Sequence, residues 1–182
     1  LGYILNNFRL KQALWGCCQA SKNIVFLQDT PAQWCHRKQQ LITSGGQRIN
    51  TTLCIGADGV NSWCRKAAGI KTIQHKHIQD DALVGMIQHD NPHRQVARQY
   101  FTDHGVLGIL PCVTYNRSVY VWSSSRNQLH PEKLDRMLKR ASLELGAFSM
   151  IGESRRHGIV SQRSERYHQH HIALVGDAAV SI

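Results

Sequence analysis

Apolar positions recur at three- and four-residue steps between Asn7 and Ala20, at Phe8, Leu10, Ala13, Leu14 and Cys17. This period predicts an amphipathic helix, with Asn6 or Asn7 as its N-cap. The pattern then shortens to strand-like runs: NIVFLQ at 23–28, the stretch from Trp34 to Arg37, and that from Gln40 to Thr43. Ser44, Gly45 and Gly46 form a hairpin turn that returns through QRINTTLCIGAD. Leu53, Cys54 and Ile55 are apolar on consecutive positions, as expected of a strand covered on both faces. That strand delivers Gly56, Ala57, Asp58 and Gly59 at its end; Asn61 or Ser62 can cap the short helix that follows, and Gly69 stops it.

After Gln79 to Asp81 the pattern changes to strands separated by turns: ALVGMIQH, QVARQYFT, GVLGILPCV and SVYVWSS. Strands following one another so closely predict an antiparallel sheet, a different unit from the first. Pro131 opens a helix with Leu134, Met137, Leu138 and Leu143 at helical spacing, ending near Gly146. The stretch from Ser149 to His170 is polar and reads as a connection back to the first unit. HIALVGDAA then repeats the earlier design of an apolar strand ending in glycine and aspartate, with a helix expected to follow.

Composition narrows the class. A hydrophobic share of 42% with 19% charged residues belongs to a globular chain and argues against disorder. The 22 Lys and Arg against 12 Asp and Glu leave a net charge of +10, which invites phosphate, acidic lipid or nucleic acid as partners. The basic residues are spread over Arg136 to Arg140, Arg155 with Arg156, and Arg163 with Arg166, and aromatics do not interleave with them on one element. A solvated face explains them better than a nucleic-acid surface.

Six cysteines without a C-x-x-C pair suggest reduced thiols in a cytosolic compartment. Among eleven histidines, the pair His75 and His77 and the set His168, His170 and His171 invite a metal, with alternate histidines on a strand sharing one face. No carboxylate or cysteine completes either set, so no metal ligand is assigned. No apolar run approaches the roughly 18 residues of a membrane-spanning helix, and nothing resembles a signal peptide.

The chemistry therefore rests on the two strand ends. A glycine after a strand lets backbone approach a ligand closely, and the carboxylate beside it can accept hydrogen bonds from sugar-like hydroxyls. Each motif alone also fits a plain turn, with Asp58 stabilising it, Ser62 capping a helix and Arg65 lying in solvent. Their order, with an antiparallel sheet between two returns to an apolar strand, is more specific than either one.

On these residues the chain resembles the FAD-dependent aromatic hydroxylases of ubiquinone biosynthesis, which share the para-hydroxybenzoate hydroxylase fold. LGYILNNFRLKQALW is similar to a helical segment of that group, with Asn6 where Glu is usual and Asn7 where Asn is expected. Asp58, Gly59, Ser62 and Arg65 match its D-G-x-x-S-x-x-R motif. Phe101, Gly105, Leu110 and Pro111 fall in the order of its substrate-domain stretch, and Gly176, Asp177, Ala178 and Ala179 match its second FAD motif.

The resemblance implies an α/β fold with an α+β insert. A partial Rossmann-like FAD-binding domain at 1–80 would be resumed at 166–182, and an antiparallel substrate domain at 81–165 would carry Val84, Met86, Phe101, Leu107, Ile109 and Val121 as a wall over the substrate. It implies FAD as cofactor, NAD(P)H as reductant, and a polyprenyl phenol and O2 as substrates. Contact with other ubiquinone-biosynthesis proteins and with a membrane surface is compatible with it. It places Asp177 on the ribityl chain of FAD with Gly176 and Ala178 beside it. Asp58, Gly59 and Arg65 would lie near the pyrophosphate, and Asn7 at a ribityl or ring-side contact.

No residue is singled out as a catalytic acid or base, although Tyr115 and Tyr120 are of a type that can meet a phenol. The family's usual histidine after G-D-A-A is replaced by Val180. Its G-x-G-x-x-G strand-turn-helix is not among these residues, so the chain is expected to be a central fragment that binds FAD poorly alone. The other reading is a non-catalytic remnant or interaction protein derived from such an enzyme.

Overall fold

The computed structural model describes residues 3–74 and 80–181. In chain order the elements are α1 (Asn7–Ala20), β1 (Pro31–Cys35), β2 (Gln40–Thr43), β3 (Arg48–Asn50), β4 (Cys54–Gly56), α2 (Trp63–Ala67) and β5 (Thr72–Gln74). Then come β6 (Asp80–His89), β7 (Arg98–Thr102), β8 (Gly105–Pro111), β9 (Arg117–Ser125), α3 (Pro131–Leu145) and β10 (Phe148–Gly158). The last are β11 (Gln162–Ser164), β12 (His168–Gln169), β13 (Ile172–Leu174), a 3-10 turn (Gly176–Ala178) and β14 (Val180–Ser181). The chain divides into two compact units, Leu1–Gln74 with Ser161–Ile182, and His75–Val160.

In the first unit β1, β2 and β3 form an antiparallel meander, β14-β11-β5 a second small sheet, and β12-β13-β4 a third. The third contains the parallel pair: Ile172 lies beside Cys54, Ala173 beside Ile55 and Leu174 beside Gly56. Its core gathers Trp34, Cys64, Ala68, Ile70, Ile172, Leu174 and Ala178. Gly69, at φ 69°, follows α2, and the Ile70 amide donates back to the Arg65 carbonyl, the glycine stop the sequence predicts.

The second unit is a five-stranded antiparallel sheet in the order β10-β6-β9-β8-β7. α3 covers one face, setting Leu134, Met137, Leu138, Ala141 and Leu145 on Ile87, Leu107, Ile109, Tyr120 and Trp122. Leu143 is 87% exposed. Five residues past Leu138 is about 500° of helical turn, which carries Leu143 off the apolar stripe that Ala141 and Leu145 continue.

Several elements differ from the sequence expectation. Residues 23–28 form no strand: Ile24, Val25, Phe26 and Leu27 are exposed, and no neighbour pairs with this backbone among the described residues. Without a partner to take its amides and carbonyls, a β-rich run gains nothing by extending as a strand. α1 forms as predicted, with the Asn6 side chain accepting from the Arg9 amide, but it buries no residue. β4 is not covered on both faces, since Leu53 and Ile55 are exposed.

The polar stretch read as a connection supplies β10, which pairs with β6 along most of its length. As an edge strand with mostly exposed residues it carries no apolar alternation to be detected. The alternate histidines His168 and His170 do not share a strand face, because β12 ends at Gln169 and His170 and His171 follow it. His170 and His171 make the turn between β12 and β13 at φ 49° and 62°, a left-handed pair more usual for Asn-Gly. Finally, GDAA opens no α-helix: after the 3-10 turn the chain enters β14 and pairs with β11.

Candidate functional site at two parallel strand ends

Because Leu174 stands level with Gly56, the turns after β4 and after β13 emerge from the same end of one small sheet. This brings Asp58 and Gly59 together with Gly176, Asp177 and Ala178 within the first unit. The close approach begins at Gly56, where a Cβ would sit 2.5 Å from the Cys64 Cβ and 3.0 Å from the Leu174 Cδ2. Only glycine lets α2 lie against the strand here.

Asp58 Oδ2 accepts from the Cys64 amide at 3.0 Å. Partial burial opposes ionisation of this carboxyl, yet the Ser62 hydroxyl and the Cys64, Asp58 and Trp63 amides together hold its pKa below the ordinary 3.8. Ser62, fully buried, is the N-cap of α2, its hydroxyl accepting from the Arg65 amide at 2.9 Å. Asp58 thus stays charged and aimed at the start of α2.

Arg65 does not lie in solvent; it is 5% exposed. Its guanidinium donates to the Val60 carbonyl at 2.6 Å and to the Ala178 carbonyl at 3.1 Å, joining the two turns. Each carbonyl takes a second donor, Gln162 Nε2 at 2.7 Å on Val60 and Ser164 Oγ at 3.0 Å on Ala178. The sequence reading passed over Gln162 and Ser164 as part of a polar connection. Their only signal is that they flank Arg163 at alternate positions, which on a strand puts both on one face.

Asp177 is exposed, and its carboxylate accepts no hydrogen bond among the described residues. Gly59 and Gly176 have φ of 80° and 58°, and nothing lies within 4 Å of where a Cβ would be on either. The cluster therefore offers one uncommitted carboxylate and two lengths of glycine backbone open to close approach. That donor and acceptor set fits a polyol or nucleotide-like ligand. Ala178 is buried and serves through its carbonyl. Asn7, exposed in the first turn of α1, is not packed into this cluster.

A model described as "FAD binding domain" matches residues 26–181. The chain belongs to this FAD-binding family. Among its curated relatives, the 3-demethoxyubiquinol 3-hydroxylase of Escherichia coli is 32% identical over 200 residues, covering 100% of this chain and 48% of that protein. The ubiquinone hydroxylase UbiL of Rhodospirillum rubrum is 31% identical over 192 residues, covering 98% of this chain and 44% of that protein. The chain thus spans about half the length of the curated relatives it matches. Among solved structures, PqsL of Pseudomonas aeruginosa, a probable FAD-dependent monooxygenase, is similar with a TM-score of 0.69 at 20% identity, over 95% of this chain and 52% of that one. The flavin-dependent halogenase BrvH of Brevundimonas has a TM-score of 0.72 at 15% identity, over 98% and 37%. These likenesses establish the fold: a partial FAD-binding α/β domain with an inserted antiparallel sheet.

Within the family's inserted sheet, the six residues expected to form one wall divide between its faces. Leu107 and Ile109 are buried under α3. Val84, Met86 and Val121, half-buried, face the other way, as does the exposed Phe101 on β7. Tyr120 lies with the α3-covered set, its hydroxyl bonded to Ser154 and its ring against Gly85, while Tyr115 is exposed in a turn. His75 and His77 lie outside the described residues. Among the described residues no group of three or more His, Cys, Asp or Glu side chains is arranged to hold a metal, and no helix is long and apolar enough to cross a membrane.

Proposed function

We propose that this chain is the central part of an FAD-dependent hydroxylase acting on the aromatic ring of a polyprenyl phenol in ubiquinone biosynthesis. The observation that carries the reading is the parallel register of β4 and β13, which aligns the Gly59 and Gly176-Asp177 turns at one sheet end. The uncommitted Asp177 carboxylate would accept hydrogen bonds from the ribityl hydroxyls of FAD, and the open backbone at Gly176 and Gly59 would admit close approach of its ribityl and pyrophosphate parts. Arg65, its charge already shared between two main-chain carbonyls, would act from beneath by fixing the two turns at one separation. Asp58 would orient the first turn through α2. Asn7 is a further contact only if α1 is brought to the cluster by residues beyond these.

Bound FAD supplies the activation of O2 that ring hydroxylation requires, with NAD(P)H as the reductant we favour. The protein's part is to hold the cofactor, exclude water and place the phenol. The open apolar sheet face of the second unit, with Val84, Met86, Val121 and Phe101, suits the apolar tail of such a substrate. Two of the relatives named above, a 3-demethoxyubiquinol 3-hydroxylase and a ubiquinone hydroxylase, support this substrate class.

Flavin titration tests the reading. The 182-residue chain should bind FAD weakly, whereas a protein of the relatives' full length containing it should retain FAD on gel filtration and lose it with Asp177→Ala. Retention unaffected by Asp177→Ala would remove Asp177 from the site. Tight, stoichiometric binding by the 182 residues alone would show that they hold a complete site, and a full-length protein that never binds FAD would favour the non-catalytic remnant.

A further inference from the structure

Below the Asp58 turn lie two cysteines that the cofactor reading does not use. Cys54 begins β4 and Cys64 stands in the first turn of α2. Along β4, Cys54 and Gly56 fall on the same side, and it is over Gly56 that Cys64 packs, its Sγ 3.2 Å from where a Gly56 Cβ would be. Both belong to one apolar cluster, Cys64 buried and Cys54 half-buried. We propose that Cys54 and Cys64 are a peroxide-oxidisable dithiol whose disulfide ties β4 to α2 beneath the Asp58 turn.

The pair is asymmetric in the way such chemistry needs. The neighbouring Cys64 thiol favours a Cys54 thiolate against burial and the nearby Asp58 charge, bringing Cys54 down to about 7. Cys54, with burial and the same carboxylate, pushes Cys64 up. Cys54, the more exposed of the two, is the sulfur that peroxide reaches, and the buried Cys64 is the resolving one.

The oxidant is hydrogen peroxide. The Cys54 thiolate attacks one peroxide oxygen, forming an S–O bond as the O–O bond breaks and hydroxide leaves. The Cys64 sulfur then attacks the Cys54 sulfenic acid, forming the S–S bond as the S–O bond breaks. The Cys64 proton goes to the departing oxygen as water, and the hydroxide takes up the proton that Cys54 had released to solvent. Two thiols and one peroxide give one disulfide and two waters. The assignment does not depend on FAD being bound.

Peptide mapping tests it on the full chain. No Lys or Arg lies between Ile49 and Cys64, so trypsin leaves both cysteines in the single peptide that ends at Arg65. After graded peroxide and alkylation of what remains, that peptide should be unalkylated and about 2 Da lighter than its dithiol form, reverting with a reductant. Titratable thiols should fall from six to four. In Cys64→Ser, Cys54 should instead be trapped by a sulfenic-acid reagent such as dimedone. The mapping of the unaltered chain stands even if that variant does not fold. Two alkylated thiols in this peptide at doses that oxidise the exposed Cys17, or Cys54 running on to a sulfinic acid without a cross-link, would overturn the proposal.

Discussion

Arg65 joins the two turns of the candidate site through main-chain carbonyls alone. Its guanidinium is buried and donates to one carbonyl from each turn, so shortening it leaves Gln162 and Ser164 as the side-chain donors to those two carbonyls among the described residues. Arg65→Ala is expected to lower unfolding free energy by about 2–3 kcal/mol in urea titration, and Arg65→Lys to recover less than half, because one ammonium cannot span two acceptors in fork geometry. Asp58 contributes differently. Its folded pKa is depressed, so its share of stability is complete above the ordinary 3.8 and is lost as pH falls through the folded value below it. Asp58→Asn should flatten that acid limb: the gap between the two proteins, read from urea midpoints, should be constant near neutrality and close below pH 3.8. A gap that widens on acidification would reverse the sign.

Elements differ in how much their residues announced them. α3 was legible because Leu134, Met137 and Leu138 recur at helical steps and Gly146 stops it at φ 77°. Two leucines on it make a direct comparison, Leu138 fully buried and Leu143 at 87% exposure. Leu138→Ala should cost about 2–5 kcal/mol by thermal or chemical unfolding, and Leu143→Ala within about 0.5 kcal/mol of nothing. β10 was illegible for the opposite reason: an edge strand with GESRRH exposed has no inside to mark. The turn at His170 and His171 hid likewise, since left-handed backbone is forced there by the β12–β13 register and not invited by residue type. At the candidate site, strand-end chemistry made Gly59, Gly176 and Asp177 candidates, although each motif alone also fits a plain turn. That Arg65 is spent on main chain could not be read, because its acceptors are carbonyls, which no residue type announces, and one of them, Ala178, lies 113 residues away.

For the molecule as a whole, apolar exposure is uneven. The described residues from Tyr3 to Leu27 expose Tyr3, Ile4, Leu5, Phe8, Leu14, Trp15 and Val25, and the strand ends add Leu53 and Ile55. An apolar surface of that extent is uncommon on a soluble monomer. The chain on its own should therefore bind an apolar fluorescent dye in the native state and associate as its concentration rises on gel filtration. A dye-silent, concentration-independent monomer would mean that α1 packs down in solution. The 14 residues of α1, burying none of themselves, also lie near the lower limit for a helix standing alone.

The pairing of β4 with β13 carries a consequence for the order of events during synthesis. Cys54 leaves the ribosome long before its partner Ile172, with the whole β6–β10 sheet translated in between. Strand neighbours so distant along the chain close a large loop, and contacts of that kind form slowly and late. The inserted sheet, in which β7–β8 and β8–β9 join consecutive strands and every other pairing closes within residues 80–158, can mature while β4 still lacks its parallel partner. Within these residues the corner where the two turns meet is thus completed late, and a ribosome halted before residue 172 would hold the inserted sheet without the parallel pair that aligns the turns.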